Sequence, residues 1–223
     1  IRGAPKNLLS VRFSPDGRHL TSSGYDGVLR TWAAGTGTLV ASHLGHGEKV
    51  EGLAFSPDGR YLVSGSRDRS VRLWASAATS RQPSSDRGHS GPVYGLAFSP
   101  DSKRIASSGA DGTVRIWRRG SGKEERVLRG HKGKVRMLAF NPSGETLASV
   151  GHDRTVRLWN LSIGGESRIL GGALSQMESV RFSPNGKILA TGSGDTHVRL
   201  WDVEKRTLLK MMEGHTDRVW DLS

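Results

Sequence analysis

The chain has 223 residues, with 33 Lys and Arg against 21 Asp and Glu, for a formal net charge of +12. Hydrophobic residues at 35% and charged residues at 24% exclude a disordered polyelectrolyte, and no apolar run approaches the ~18 residues of a membrane-spanning helix. The absence of Cys excludes disulfides, thiolate metal centres and a thiol nucleophile.

Taken in order, the chain divides into units at about 1–43, 44–86, 87–128, 129–170 and 171–212, with the start of a sixth at 213–223. The first carries Phe13, a turn at Ser14–Gly17, Ser22, Asp26 and Trp32. The second opens on Gly45-His46 and shows the elements most clearly. Val50 to Phe55 reads as an apolar strand, and Ser56-Pro57-Asp58-Gly59 as a turn in which Pro presets φ and Gly accepts the positive φ that closes it. Tyr61 to Ser66 is the next strand. Asp68-Arg69 begins a turn in which the Asp side chain bonds nearby amides, and Ser70 to Trp74 is the third strand. A fourth strand through Arg81-Gln82-Pro83 is expected on the outer rim, because Pro belongs on an edge.

The third unit holds Gly88-His89, Phe98, Ser107, Asp111 and Trp117. Its first hairpin has Ser102 where the others have Gly, and a non-Gly residue at positive φ costs about 1 kcal/mol, so this hairpin is expected to be the weakest. The fourth unit holds Gly130-His131, Phe140, Ser149, Asp153 and Trp159, and the fifth Phe182, Thr191, Asp195 and Trp201. Gly214-His215 opens the sixth, in which Arg218 to Ser223 matches a first strand.

The repeat decides the architecture. Trp32, Trp74, Trp117, Trp159 and Trp201 stand 42, 43, 42 and 42 residues apart, and the Asp six residues before each Trp keeps the same intervals. Strands of alternating polarity between turns, with no sustained helical period, make this an all-β array of a repeated unit. Arg30, Arg72, Arg115, Arg157 and Arg199, each two before its Trp, read as scaffold copies with stems against the indole.

These elements resemble the WD-repeat (Trp-Asp repeat) β-propeller family over the whole chain. The Gly-His pair, the Ser or Thr four before the Asp and the strand ending in Trp carry the resemblance. The His place falls on Ala4 in the first repeat and Ala173 in the fifth, and only Trp201-Asp202 keeps the Trp-Asp pair at its family place. The resemblance implies four-stranded antiparallel blades, five of them present plus one strand. Such propellers usually have seven, so 1–223 is expected to be a single propeller domain truncated at both ends within a longer chain; the alternative, a closed five-blade ring, leaves Arg218–Ser223 without a place. Its terminal blades should then expose apolar edges. A cytoplasmic location is expected over a secreted one.

The resemblance also implies that Ser64, His46, Asp68 and Trp74 converge within one blade. A Ser, His and Asp invite a hydrolase reading. The set recurs, intact, in repeats two, three and four, whereas an active site is built once per chain. A hydrogen-bonded tetrad in which Asp and Ser link to the imidazole and the indole N–H donates accounts for the repetition. Repeats one and five, lacking the His, are expected to be softer. No catalytic residue, cofactor or metal site is expected.

Variable positions then mark the surface. In the family, partners meet one face around the central channel, at the start of the first strand and just before the turn Asp. Carried over, the first places are Asn7 and Leu9, Lys49 and Glu51, Pro92 and Tyr94, Lys134 and Arg136, Gln176 and Glu178, and Arg218 and Trp220. The second are Tyr25, Arg67, Ala110, His152 and Gly194. Their basic and aromatic members suit an acidic protein or peptide. The alternative partner is nucleic acid, suggested by the net charge but opposed by the dispersal of the basic residues. An enzyme is the least favoured reading.

Overall fold

The computed structural model describes residues 7–76, 84–86 and 88–222. These form five antiparallel four-stranded sheets, each built from consecutive strands in chain order. Blade one comprises β1 (Leu8–Phe13), β2 (His19–Gly24), β3 (Leu29–Ala33) and β4 (Leu39–His43). Blade two comprises β5 (Val50–Phe55), β6 (Tyr61–Ser66), β7 (Val71–Ala75) and β8 (Ser84–Asp86). Blade three comprises β9 (Val93–Phe98), β10 (Arg104–Gly109), β11 (Thr113–Arg118) and β12 (Glu124–Arg129). Blade four comprises β13 (Val135–Phe140), β14 (Thr146–Gly151), β15 (Thr155–Asn160) and β16 (Glu166–Gly172). Blade five comprises β17 (Met177–Phe182), β18 (Ile188–Ser193), β19 (Val198–Asp202) and β20 (Thr207–Met212). The Arg81-Gln82-Pro83 stretch lies outside the described residues.

The strands follow from local chemistry. In the first turn of blade two, Ser56 Oγ donates to Asp58 and accepts from the Tyr61 amide at 2.9 Å, while Gly59 takes a φ of 69°. Ser14, Ser99 and Ser183 repeat this bond pattern. Ser102 does adopt positive φ (58°), and its buried Oγ accepts the Asp58 amide of the neighbouring blade at 3.4 Å. Strain also sits where the sequence reading did not look. After the turn Asp, blades one and three use Gly27 and Gly112, but blades two, four and five force Arg69, Arg154 and Thr196 into the left-handed region.

The first strands stand side by side, β1 beside β5, β5 beside β9, and so on to β17. Gly52 permits this approach: a Cβ there would lie 2.3 Å from the Tyr94 carbonyl oxygen. Four seams between blades hold the core. In one, Leu29 of blade one meets Val50, Leu53, Leu62 and Trp74 of blade two. In the last, Val150, Val156 and Leu170 meet Met177, Val180, Leu189 and Trp201. Each fully buried aliphatic side chain contributes about 1.5–3 kcal/mol. The corresponding face of blade one has no partner among the described residues, so Val11 is 40% exposed where its counterpart Leu53 is 4% exposed. Leu8 and Phe13 share that exposed face.

The expectation that Arg218 to Ser223 forms a first strand is corrected. Residues 217–222 have no strand conformation. A strand needs a ladder, and the segment makes one backbone bond to blade five, from the Val219 amide to the Ser193 carbonyl at 3.2 Å. Val219 is nevertheless buried. The Asp221 carboxylate reaches Arg181 of blade five at 3.0 Å and Arg12 of blade one at 3.7 Å.

Thr196 combines β-branching with a φ of 71° and makes no side-chain hydrogen bond among the described residues. Thr196→Gly should therefore raise stability by about 1 kcal/mol. Urea unfolding checks this, and an unchanged or lowered midpoint would contradict the assignment of strain.

Candidate functional site

Two sets of side chains carry chemistry, one inside the blades and one at a single end of them. The internal set comes first. In blade two, Trp74 Nε1 donates to Ser64 Oγ at 2.8 Å, Ser64 Oγ lies 2.7 Å from His46 Nε2, and His46 Nδ1 lies 2.8 Å from Asp68 Oδ2. Blade three repeats this with Trp117, Ser107, His89 and Asp111, and blade four with Trp159, Ser149, His131 and Asp153. The donors fix the tautomer. The indole has only a hydrogen to give, so the hydroxyl accepts it and must pass its own hydrogen to Nε2. The imidazole then holds its hydrogen on Nδ1 and donates it to the carboxylate. A neutral imidazole satisfies every partner; a protonated one would leave the hydroxyl without an acceptor.

Charge agrees with this. Burial pushes the His46 and His131 imidazoles below their ordinary range, against the pull of their carboxylates. Burial opposes ionisation of Asp68, but hydrogen bonds from Ser70, His46 and the Ser70 amide prevail and lower its carboxyl to about 2. Asp111 and Asp153 are lowered likewise. The hydroxyl of each set is buried and already engaged by an indole and an imidazole, so it is not presented to a substrate.

Two participants escaped the sequence reading. Ser70, Thr113 and Thr155 donate to the turn Asp at 2.6, 2.8 and 2.9 Å. They stand two residues after the Asp in the same three repeats that keep the His, while Val28 and His197 stand there in repeats one and five. That co-occurrence was a readable signal. The second participant gave none, because the Arg before the Trp is present in every repeat. In blade one, Arg30 turns onto Asp26 at 2.6 Å, and in blade five Arg199 reaches Ser193 at 2.8 Å and Asp195 at 3.0 and 2.8 Å. The Leu174 amide also donates to Asp195 at 3.1 Å. The indole bonds persist, Trp32 to Ser22 at 3.2 Å and Trp201 to Thr191 at 2.9 Å. A guanidinium thus occupies the carboxylate in blade five, where Ala173 replaces His; Ala4 lies outside the described residues. Not all five turn Asp are internal, since Asp26 is exposed.

The second set lies at the end of the blades where the second turn sits. In all five first strands the pairing slips by one residue, leaving Leu9, Glu51, Tyr94, Arg136 and Glu178 as the extra residue of a β-bulge. A bulge re-aims its side chain out of the pleat. Beside each bulge, the residue before the turn Asp donates its amide to the carbonyl two residues before the bulge residue: Tyr25 to Asn7, Arg67 to Lys49, Ala110 to Pro92, His152 to Lys134 and Gly194 to Gln176, at 2.8–3.2 Å. The same backbone bond therefore presents a different pair of side chains in every blade.

These side chains form a belt. Lys49 Nζ sits 3.6 Å above the Tyr25 ring, and Arg67 Nε bonds Glu51 at 2.5 Å, which raises the Arg67 pKa. Arg136 lies 5.3 Å over Tyr94 and bonds Glu178 at 3.3 Å. Arg218, 5.7 Å over Trp220, approaches the same Glu178 at 3.8 Å, as does His152 at 4.0 Å. Burial lowers the His152 pKa, and Lys134, Arg136 and Arg218 add to that against Glu178. Glu178 was expected as a contact residue; this is corrected, for it is 2% exposed and lies beneath its cations. The Glu51 side chain is also largely covered. Both serve as counter-ions, while Tyr25, Arg67, Lys134, Arg218 and Trp220 are exposed. Five cations stand against these two carboxylates.

The family described as WD domain, G-beta repeat matches the chain at residues 1–33, 37–75, 81–118, 122–160 and 166–202. No curated protein matches it.

Removing one internal imidazole strips a buried carboxylate and hydroxyl of their shared partner. His89→Ala is expected to cost about 2 kcal/mol, read as a lower melting temperature, and an unchanged value would refute the role given to His89. Acid should act on the tetrads of blades two and four together. The folded pKa values of His46 and His131 lie below the ordinary 6.5, so their contribution is complete above that pH and erodes as pH falls beneath it. Asp68 adds a further loss between 3.8 and about 2. Melting temperature should therefore fall steadily on acidification from pH 7; a maximum near pH 5 would contradict the neutral imidazoles.

Proposed function

The chain belongs to the WD-repeat family, whose repeats serve in general as non-catalytic protein-interaction scaffolds, and on that premise we propose that it binds an acidic protein or peptide on the bulged end of its blades. The observation that carries the reading is the charge imbalance of the belt. Three of its five cations, Arg67, Arg136 and Arg218, pair with two covered carboxylates, and Lys49 and Lys134 have no carboxylate partner among the described residues. An acidic segment laid across this end completes the pairing.

The mechanism is preorganisation. Arg136 is held between Tyr94 and Glu178, and Arg67 is tied to Glu51. Long side chains that are already ordered lose little entropy on binding. Exposed Trp220 and Tyr25 supply apolar anchors, the residue types that concentrate binding energy. The buried carboxylates keep the guanidiniums in place without presenting negative charge to the partner.

A fluorescein-labelled polyglutamate peptide tests this by anisotropy. Lys134→Glu combined with Trp220→Ala, both exposed, should weaken binding about tenfold or more with no change in melting temperature. Equal affinity of parent and variant would remove this end from consideration. Filter binding of duplex DNA across a salt series separates the nucleic-acid alternative. Retention that persists at high salt and varies with sequence would favour it, whereas collapse at modest salt on any sequence reports phosphate attraction alone.

A further inference from the structure

The repeat allows functional residues to be separated from scaffold by asking which blade departs from its siblings at equivalent places. One does so at the opposite end from the belt, where the first turn and the hairpin between third and fourth strands lie. In every blade a backbone bond ties these two together: Ala34 to Arg18, Ser76 to Arg60, Arg119 to Lys103, Leu161 to Glu145 and Val203 to Lys187, at 2.8–3.0 Å. That bond fixes the equivalence of four positions. Blade one has Arg18, His19, Ala33 and Ala34; blade two has Arg60, Tyr61, Ala75 and Ser76; blade four has Glu145, Thr146, Asn160 and Leu161; blade five has Lys187, Ile188, Asp202 and Val203. Blade three has Lys103, Arg104, Arg118 and Arg119. A cation at the first of these four places is shared with Arg18, Arg60 and Lys187, but Arg104, Arg118 and Arg119 have no Lys or Arg counterpart in any other blade, so the fold does not need those three.

The four surround a groove of about 680 Å³, completed by Asp101, Gly120, Ser121 and Glu125. Its two acids, Asp101 and Glu125, are already engaged. Asp101 accepts Ser99 Oγ at 2.6 Å and the Lys103 amide at 3.0 Å within its own turn. Glu125 is shared between Arg104 at 3.0 Å and Arg118 at 3.6 Å. Arg119 is braced 4.4 Å over the Tyr61 ring with Asp58 at 3.8 Å, and its buried Nε has no acceptor. Lys103 has no ion-pair partner among the described residues, and Arg118 is 72% exposed. Glu125 thus pairs with two of the four cations and Asp58 lies near a third, while Lys103 is left without an ion pair.

We propose that this groove binds a ligand bearing clustered phosphate groups. A single carboxylate is already present in Glu125 and leaves Lys103 and most of the Arg118 fork unmatched. A phosphate brings more charge and three acceptor oxygens to one centre, which suits a guanidinium fork beside an ammonium. The volume lies in the range of small-ligand sites, about 300–1,000 Å³. The inference is independent of the belt, which lies at the other end of the blades.

Calorimetric titration with inorganic tripolyphosphate tests it. Saturable one-to-one binding is expected, weakened about tenfold or more by Lys103→Glu with Arg118→Glu. Both side chains are exposed, so an unchanged melting temperature verifies the fold of the variant. A matched control, Arg18→Glu with Lys187→Glu, alters net charge equally in blades one and five and should change affinity by less than about twofold. Sedimentation with phosphatidylcholine vesicles, plain or containing phosphatidylinositol bisphosphate, distinguishes the source of the phosphate. Co-sedimentation only with the phosphorylated lipid, lost in the blade-three variant, assigns a headgroup. Tripolyphosphate binding without sedimentation assigns a soluble ligand. Titration without saturation, or equal weakening by both charge-reversed pairs, overturns the proposal.

Discussion

The structure depends on a hydrogen-bond relay that runs in one direction, from indole to hydroxyl to imidazole to carboxylate. Each group in it is buried or largely so, and each would be costly to bury alone. The direction is imposed by the end members, because an indole can only donate and an ionised carboxylate can only accept. The relay joins a second strand, a third strand, the turn between them and the segment arriving from the previous blade. Apolar seams hold blade to blade, but they are non-directional. The polar relay is what gives each blade its internal geometry, and so decides where its ends project.

Blades one and five meet the same constraint differently. The turn carboxylate needs a donor, and Arg30 or Arg199 supplies it. In blades three and four the corresponding arginines bond elsewhere, Arg115 onto Glu124 with Asp111 still 3.9 Å away, and Arg157 onto Ser167 at 3.1 Å. Gly88 makes room for one such arrangement, since a Cβ there would fall 2.5 Å from the Trp117 ring and 2.9 Å from an Arg115 nitrogen. One residue type therefore plays two roles, chosen by whether an imidazole is present.

The repeat of Phe, Asp and Trp made the strand content and the order of the blades legible, and the resemblance it carried pointed to the tetrads. The limits were physical. Register is a pairwise property, so the bulges at Leu9, Glu51, Tyr94, Arg136 and Glu178 could not be read from one strand's alternation. Exposure could not be read either, because Glu178 and Trp220 are adjacent in kind as variable surface positions yet one is buried and the other open. Positive φ was sought only where Gly was missing from the first turn, although Arg69, Arg154 and Thr196 show that the second turn tolerates it as well. The basic groove was hidden by position, since its four residues come from two turns brought together by one backbone bond.

The bulges carry a consequence for how such a surface changes over time. The extra residue in each first strand belongs to no ladder pair, so replacing it leaves the registers on both sides intact. Where the bulge side chain is open, as at Leu9, it can be substituted with little penalty to folding while the relay beneath keeps its geometry; Glu51 and Glu178, covered by their cations, are not free in this way. At the open positions, variation in recognition is thereby uncoupled from the scaffold.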